Sequence, residues 1–167
     1  EADQVIAGAN SRNGRFVTLG VETANAPRVA YVFDWQTNKT TRWMIPSAPE
    51  ADLSTFPRAK LETYPAADGT LIPMFVRRPK ICETNACPVI VSFHGGPESQ
   101  TKPGFNPIIQ TFIDSGFVFV EPNVRGSDGY GKTWVNSDNA VKRLDVITDI
   151  RDCADFIRKN WSKNGVA

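Results

Sequence analysis

Two short runs of almost unbroken apolar residues constrain this chain more than anything else in it. Residues 89–93 read Val-Ile-Val-Ser-Phe and residues 117–120 read Phe-Val-Phe-Val. A strand with one wet face alternates apolar and polar residues. Strands this apolar are covered on both faces, as in a parallel sheet flanked by helices. Between the runs, residues 107–115 start on Pro107, place Ile108, Ile109, Phe112 and Ile113 toward one side, and stop at Gly116, the pattern of a helix with a proline start and a glycine end. Residues 89–120 are therefore expected to be strand, loop, helix and strand, about the size of a βαβ crossover.

The flanking segments carry other periods. In residues 145–161, Val146, Ile150, Cys153, Ala154, Ile157 and Trp161 recur at three- and four-residue steps, with Arg151, Asp152, Asp155 and Arg158 toward the other side. This is the clearest helix, closed by residues 160–165. Such alternation asks for a further strand after Gly165. The first third reads instead as short strands over 5–9, 15–22, 28–35 and 40–45, punctuated by Ser11-Arg12-Asn13-Gly14 and Gln36-Thr37-Asn38-Lys39. That is a β-meander, the unit of a propeller blade or part of a sandwich or barrel. Residues 46–52 are polar and proline-rich, a linker. A hairpin follows, with strands over 59–64 and 71–77 around Ala67-Asp68-Gly69. Pro73 in its second strand predicts an edge or a bulge.

Charge and cysteine content exclude several classes. The net charge of +1 over 167 residues is too small to argue for nucleic acid or an anionic membrane surface. No apolar run approaches the ~20 residues of a membrane span. The first residues have no signal-peptide pattern and no initiator Met, so they need not be the natural start. One His and three scattered Cys do not reproduce a zinc spacing, and no other metal or cofactor is expected. Cys82 and Cys87 bracket four residues between two apolar runs. They read as two free thiols in a loop or as a small disulfide clip, which needs an oxidising compartment. The clip is favoured, and with it a periplasmic or secreted setting over a cytoplasmic one. The sequon Asn38-Lys39-Thr40 says little by itself.

Two loops follow the two apolar strands, at the sheet edge where open α/β sheets bind ligands. The first is His94-Gly95-Gly96-Pro97. Adjacent glycines let main-chain N–H groups approach a ligand closely, and an HGG-type loop after the third strand supplies oxyanion donors in lipases and esterases. The plain alternative is a tight turn packed for steric reasons. His94 invites a role as catalytic base, but a base in such folds comes from a late loop, so His94 is expected to order its own loop. The second loop is Asn123-Val124-Arg125-Gly126-Ser127-Asp128-Gly129-Tyr130-Gly131. It lacks the G-x-S-x-G elbow, so Ser127 is not expected to be a nucleophile, and it matches no phosphate loop. Arg125 either clamps a carboxylate or carbonyl of a ligand or lies buried against a neighbouring carboxylate.

"VSFHGGPESQ", "GFVFVEPNVRGSDGYGKTW" and "RLDVITDIRDCADFIRKNW" together resemble the prolyl oligopeptidase family of serine peptidases, nearest to its dipeptidyl-peptidase and acylaminoacyl-peptidase branches. The resemblance covers residues 58–167 through the order and spacing of these motifs. Residues 1–45 fit the family's β-propeller less specifically. It implies an α/β fold: the last strands of a propeller over 1–45, a linker over 46–57, and the N-terminal part of an α/β-hydrolase domain over 58–167. It also implies that Gly96 lends its N–H to an oxyanion hole. Some members have Tyr where this chain has His94, which makes His94 a possible second contributor. Arg125 and Tyr130 match residues near the substrate pocket. The substrate implied is a small peptide, with no nucleic acid or membrane partner, and the oligomeric state stays open. The serine, aspartate and histidine of that family fall beyond the helix at 145–161, so this chain alone is expected to be inactive. A non-catalytic scaffold and an esterase of the same fold are the alternatives.

Overall fold

The computed structural model of the chain describes residues 2–44, 52, 55–96 and 98–161. Most of the expected linker, Pro97 and residues 162–167, where the close of the last helix and the approach to a further strand were expected, lie outside them. The chain divides into two compact units, one of residues 1–58 with 103–107, the other of 59–102 with 108–167.

The first unit is a four-stranded antiparallel sheet whose strands follow one another in space as in sequence: β1 (Gln4–Asn10), β2 (Phe16–Thr23), β3 (Ala26–Asp34) and β4 (Lys39–Met44). The Asn13-Gly14 turn forms where the sequence places it. The Ser11 hydroxyl donates to Asn13 Oδ1 at 2.8 Å, and the Phe16 N–H returns to Ser11 Oγ at 2.9 Å. Arg15 grips Asp34 across β2 and β3 with bonds of 2.9 and 2.7 Å. Residues 103–107 belong here too: Gln4 Nε2 donates to the Pro103 carbonyl at 2.8 Å, and the Phe105 ring stacks on Phe56 at 5.2 Å.

The second unit holds β5 (Lys60–Pro65), β6 (Leu71–Arg77), β7 (Val89–Val91) and β8 (Val118–Pro122), in the spatial order β5-β6-β8-β7. β6 is antiparallel to both its neighbours, β5 and β8, while β7 and β8 run parallel in the register Val89↔Val118, Ile90↔Phe119, Val91↔Val120. The period of two sorts the side chains of these strands onto two faces. Val89, Val118 and Val120 join Ile72, Met74 and Val76 in a core with Cys153 and Ile157 of α3 (Arg143–Asn160). Phe119 and Ile90 face the other way, against Ile109 and Ile113 of α1 (Pro107–Asp114). The apolar runs are unbroken because both faces are covered.

Three details depart from the sequence expectations. Pro73 marks neither an edge nor a bulge: β6 lies between β5 and β8, and its register with β5 runs unshifted through Thr63↔Pro73. The Pro73 carbonyl accepts the Asn123 N–H at 2.8 Å. The N–H and C=O of an extended residue point the same way, so the donor that proline lacks falls on the β8 side, just past the last paired residue, Met74. Strand β7 is shorter than the expected 89–93. The Ser92 N–H reaches the Val120 carbonyl at 2.8 Å, and the next parallel bond needs an N–H at Pro122, which has none. Finally, α3 begins two residues earlier than the expected Asp145, after a short helix α2 (Lys132–Val135) and two 3-10 turns.

Cys82 and Cys87 are bonded to each other across a 3-10 turn (Lys80–Glu83), just ahead of β7. Cys153 is free and buried, and burial pushes its thiol up to about 12.

Candidate functional site

The loop leaving β7 and the loop leaving β8 lie side by side. Parallel strands deliver their carboxyl ends to one edge of the sheet, and here that edge carries residues 94–96, 98–102 and 123–131. Gly96 has φ +64°, and the Ser99 N–H closes a turn onto its carbonyl at 2.9 Å. A Cβ at Gly96 would meet nothing within 4 Å. The glycine is therefore required by the left-handed backbone and not by crowding. Gly95 and Gly96 are both exposed, so their main chain is open to a ligand.

His94 does not face outward as a free base. Its Nε2 sits 2.9 Å from Ser127 Oγ. The Ser127 hydroxyl donates to the Val124 carbonyl at 2.6 Å, so Oγ is left to accept and the His94 proton lies on Nε2. His94 Nδ1 is buried and has no hydrogen-bond partner among the described residues. Ser127 is fully buried, and its hydroxyl is spent on a carbonyl. The imidazole thus ties the glycine loop to the loop after β8.

Three more bonds join these loops. The Asp128 N–H donates to the Ser99 carbonyl at 2.8 Å. Asn123, fully buried, binds both main-chain groups of Thr101, with its Oδ1 2.7 Å from the Thr101 N–H and its Nδ2 3.0 Å from the Thr101 carbonyl. Nothing in the sequence singled Asn123 out. A polar residue directly after an apolar strand is the signal that could have done so, because a buried amide must find partners for both ends.

Arg125 is sequestered by carboxylates of its own chain. Its Nε lies 3.0 Å and a terminal nitrogen 2.5 Å from the Asp149 carboxylate, and the other terminal nitrogen lies 2.6 Å from Asp68. Of the two readings of Arg125, burial against neighbouring carboxylates is the one the geometry realises. Asp149, on α3, is fully buried, and Tyr64 donates to its main-chain carbonyl at 2.9 Å. The hydrogen bond with Asp149 raises the arginine above its ordinary value. The Asp68 carboxyl is lowered to about 2, first by the Thr70 N–H and hydroxyl and then by Arg125. Tyr130 is partly exposed. Its hydroxyl accepts from Asn123 Nδ2 at 3.0 Å and its ring tilts against Trp134 at 5.9 Å. Of the residues singled out in the sequence, Gly96, His94 and Tyr130 therefore sit on or between the two loops, and Arg125 anchors the second loop to α3. Cys82 and Cys87 form a separate clip ahead of β7. Among the described residues, no cluster of His, Cys, Asp or Glu has the makings of a metal site.

Residues 103–163 match the model of the prolyl oligopeptidase family. The chain is 30% identical over 141 residues to prolyl oligopeptidase A of Amanita bisporigera, covering 81% of this chain and 18% of that protein. It is 28% identical over 157 residues to the dual function macrocyclase-peptidase POPB of Galerina marginata, covering 91% of this chain and 21% of that one. The solved structure of prolyl oligopeptidase B from Galerina marginata, bound to a 35mer substrate, superposes with a TM-score of 0.81 at 25% identity, over 98% of this chain and 23% of that one. The chain thus spans about a fifth of the length of the curated relatives it matches.

Proposed function

The chain belongs to the prolyl oligopeptidase family, and from that premise we propose that it carries the oxyanion-binding part of a serine peptidase acting on small peptides. In this reading residues 1–45 are the last strands of a β-propeller and residues 46–57 a linker. Residues 58–167 are the first part of an α/β-hydrolase domain, a serine nucleophile and its histidine and aspartate lie beyond Ala167, and the propeller restricts access to small peptides.

The observation that carries the proposal is the Gly96 turn. It follows a parallel strand packed on both faces, holds a left-handed φ with its main chain open, and is tied by His94, Ser99 and Thr101 to the next loop. Acyl transfer needs N–H donors fixed in advance where negative charge develops on the carbonyl oxygen. The Gly96 N–H supplies one such donor. His94 holds the turn without acting as base, since its Nε2 proton is committed to Ser127. Arg125 and Asp149 keep the second loop in place from behind, and Tyr130 stands at its partly exposed rim, where a peptide side chain would pass.

The test uses the full-length protein and the present chain side by side. A fluorophosphonate should label the full-length protein stoichiometrically and leave the 167-residue chain unlabelled, Ser127 included. Gly96→Pro cannot adopt a positive φ and has no N–H, and it should lower kcat by about 10²–10³. Labelling at Ser127, or turnover of the Gly96→Pro protein within a factor of a few of the native rate, would overturn the reading.

A further inference from the structure

Asn123 spends every polar atom of its side chain and its backbone N–H on holding other segments. Its N–H is bonded to the Pro73 carbonyl at 2.8 Å. Its side-chain amide offers one acceptor and one donor to the N–H and C=O of a single residue, Thr101, at 2.7 and 3.0 Å, and a second donor to the Tyr130 hydroxyl at 3.0 Å. A neighbouring strand pairs with a residue in the same way. Here one buried side chain replaces the strand, at a place where the sheet has already ended.

Residues 94–101 are thus held at three points. His94 fixes the start through Ser127, Ser99 is fixed in the middle by the Asp128 N–H, and Thr101 is fixed at the end by Asn123. Gly96 lies between the first two. Its left-handed turn has no side chain to pack and nothing within 4 Å of a would-be Cβ, so beyond its own bond from the Ser99 N–H it depends on the anchors to either side. A loop fixed at one end keeps most of its conformational freedom, and a loop fixed at both ends loses it.

We propose that Asn123 is a positioning residue for the Gly96 N–H. It sets the far anchor of the loop, and through it the place of the donor that meets the oxyanion. The proposal rests on the peptidase reading above. A misplacement of about 1 Å in such a donor costs on the order of 10²-fold in rate, so the amide matters to turnover without touching substrate.

The experiment uses full-length protein with Asn123→Ala and Asn123→Asp. The aspartate keeps the shape and the acceptor for Thr101 but loses both donors, so it serves if the alanine variant fails to fold. Both variants should lose about 10²-fold in kcat with KM little changed. The affinity of a peptide aldehyde, whose oxygen becomes an oxyanion on addition of the serine, should fall in parallel, while that of a product peptide stays. Hydrogen exchange should quicken across residues 95–101 and remain slow in β6 and β8. Variants that keep both aldehyde affinity and slow loop exchange overturn the proposal. So does a loss of rate accompanied by equally fast exchange in β6 and β8, which marks general unfolding. A wild-type protein that hydrolyses no peptide overturns the peptidase reading instead, and quickened loop exchange in the variants would then still uphold Asn123 as the clasp.

Discussion

The two units of this chain bury their residues very differently. In the strand unit, β4 is exposed along its whole length and β1 along all but its first residue, and only Val17 and Ala24 are buried apolar residues among those described. In the second unit, β6 and β8 are almost wholly buried, and Tyr64, Ile72, Met74, Val120, Cys153 and Ile157 have no appreciable exposure. The first is held by strand pairing between sequence neighbours. The second is held by a core that joins residues far apart in sequence, as in the bond from Tyr64 to Asp149 across 85 positions. A sheet with little covering its faces can be right in every turn and still depend for its stability on what is packed against it.

The ion pairs should separate the units most sharply. Asp149 is fully buried beneath Arg125, whereas the Arg15 and Asp34 side chains are 40% and 15% exposed. Removing one partner of a buried pair strands the other charge, so Asp149→Ala should cost about 3–5 kcal/mol. Asp34→Ala should cost far less, because water replaces the lost carboxylate at Arg15. Urea unfolding of the two variants measures both. Equal losses would mean that the strand unit is as well buried as the other.

Apolar truncations come next. Ile157→Ala, at a position with 0% exposure, should cost about 2–5 kcal/mol through lost transfer energy and the cavity left behind. Ile6→Ala, at 41% exposure in β1, should stay within about 0.5 kcal/mol in this chain. Repeating the pair in full-length protein sharpens the contrast. A cost at Ile6 that rises toward that at Ile157 would show that another layer covers the sheet there.

The smallest effect concerns acid. Asp68 titrates at about 2 in the folded protein against an ordinary 3.8. A depressed acid contributes stability above its unfolded value and loses it as pH falls through the folded one, here from about 4 to about 2. Its side chain is half exposed, so the contribution is screened and small. Glu121 works in the opposite direction, because burial raises its carboxyl despite Arg77 beside it. Asp68→Asn should flatten the dependence of stability on pH in that window, as read from thermal melts at stepped pH. An unchanged slope would mean that the Thr70 and Arg125 contacts do not persist in solution.

Much of this was legible in the residues. The strand pattern, the Asn13-Gly14 turn, both principal helices and the doubly covered strands follow from local period and punctuation. Gly96 and its loop could be found because two glycines at the end of an apolar strand have few other uses. The failures share a cause. Pro73 argued for an edge because its missing donor is a local fact, but whether that donor is missed depends on where β8 stops. Strand β7 ends early because of Pro122, a residue some thirty positions away. The sequence left Arg125 between a ligand and a carboxylate, and only Asp149 and Asp68 decided.

The sequence by itself determined the elements, the two-faced packing of β7 and β8, and the resemblance to a family, since these depend on side-chain period and on motifs read in order. The tertiary structure alone decided what fixes the glycine loop. His94 meets Ser127, and Asn123 meets Thr101, across separations of 33 and 22 residues. Hydrogen bonds act over about 3 Å, and no local pattern reports which distant polar groups the packed sheet will bring within that reach.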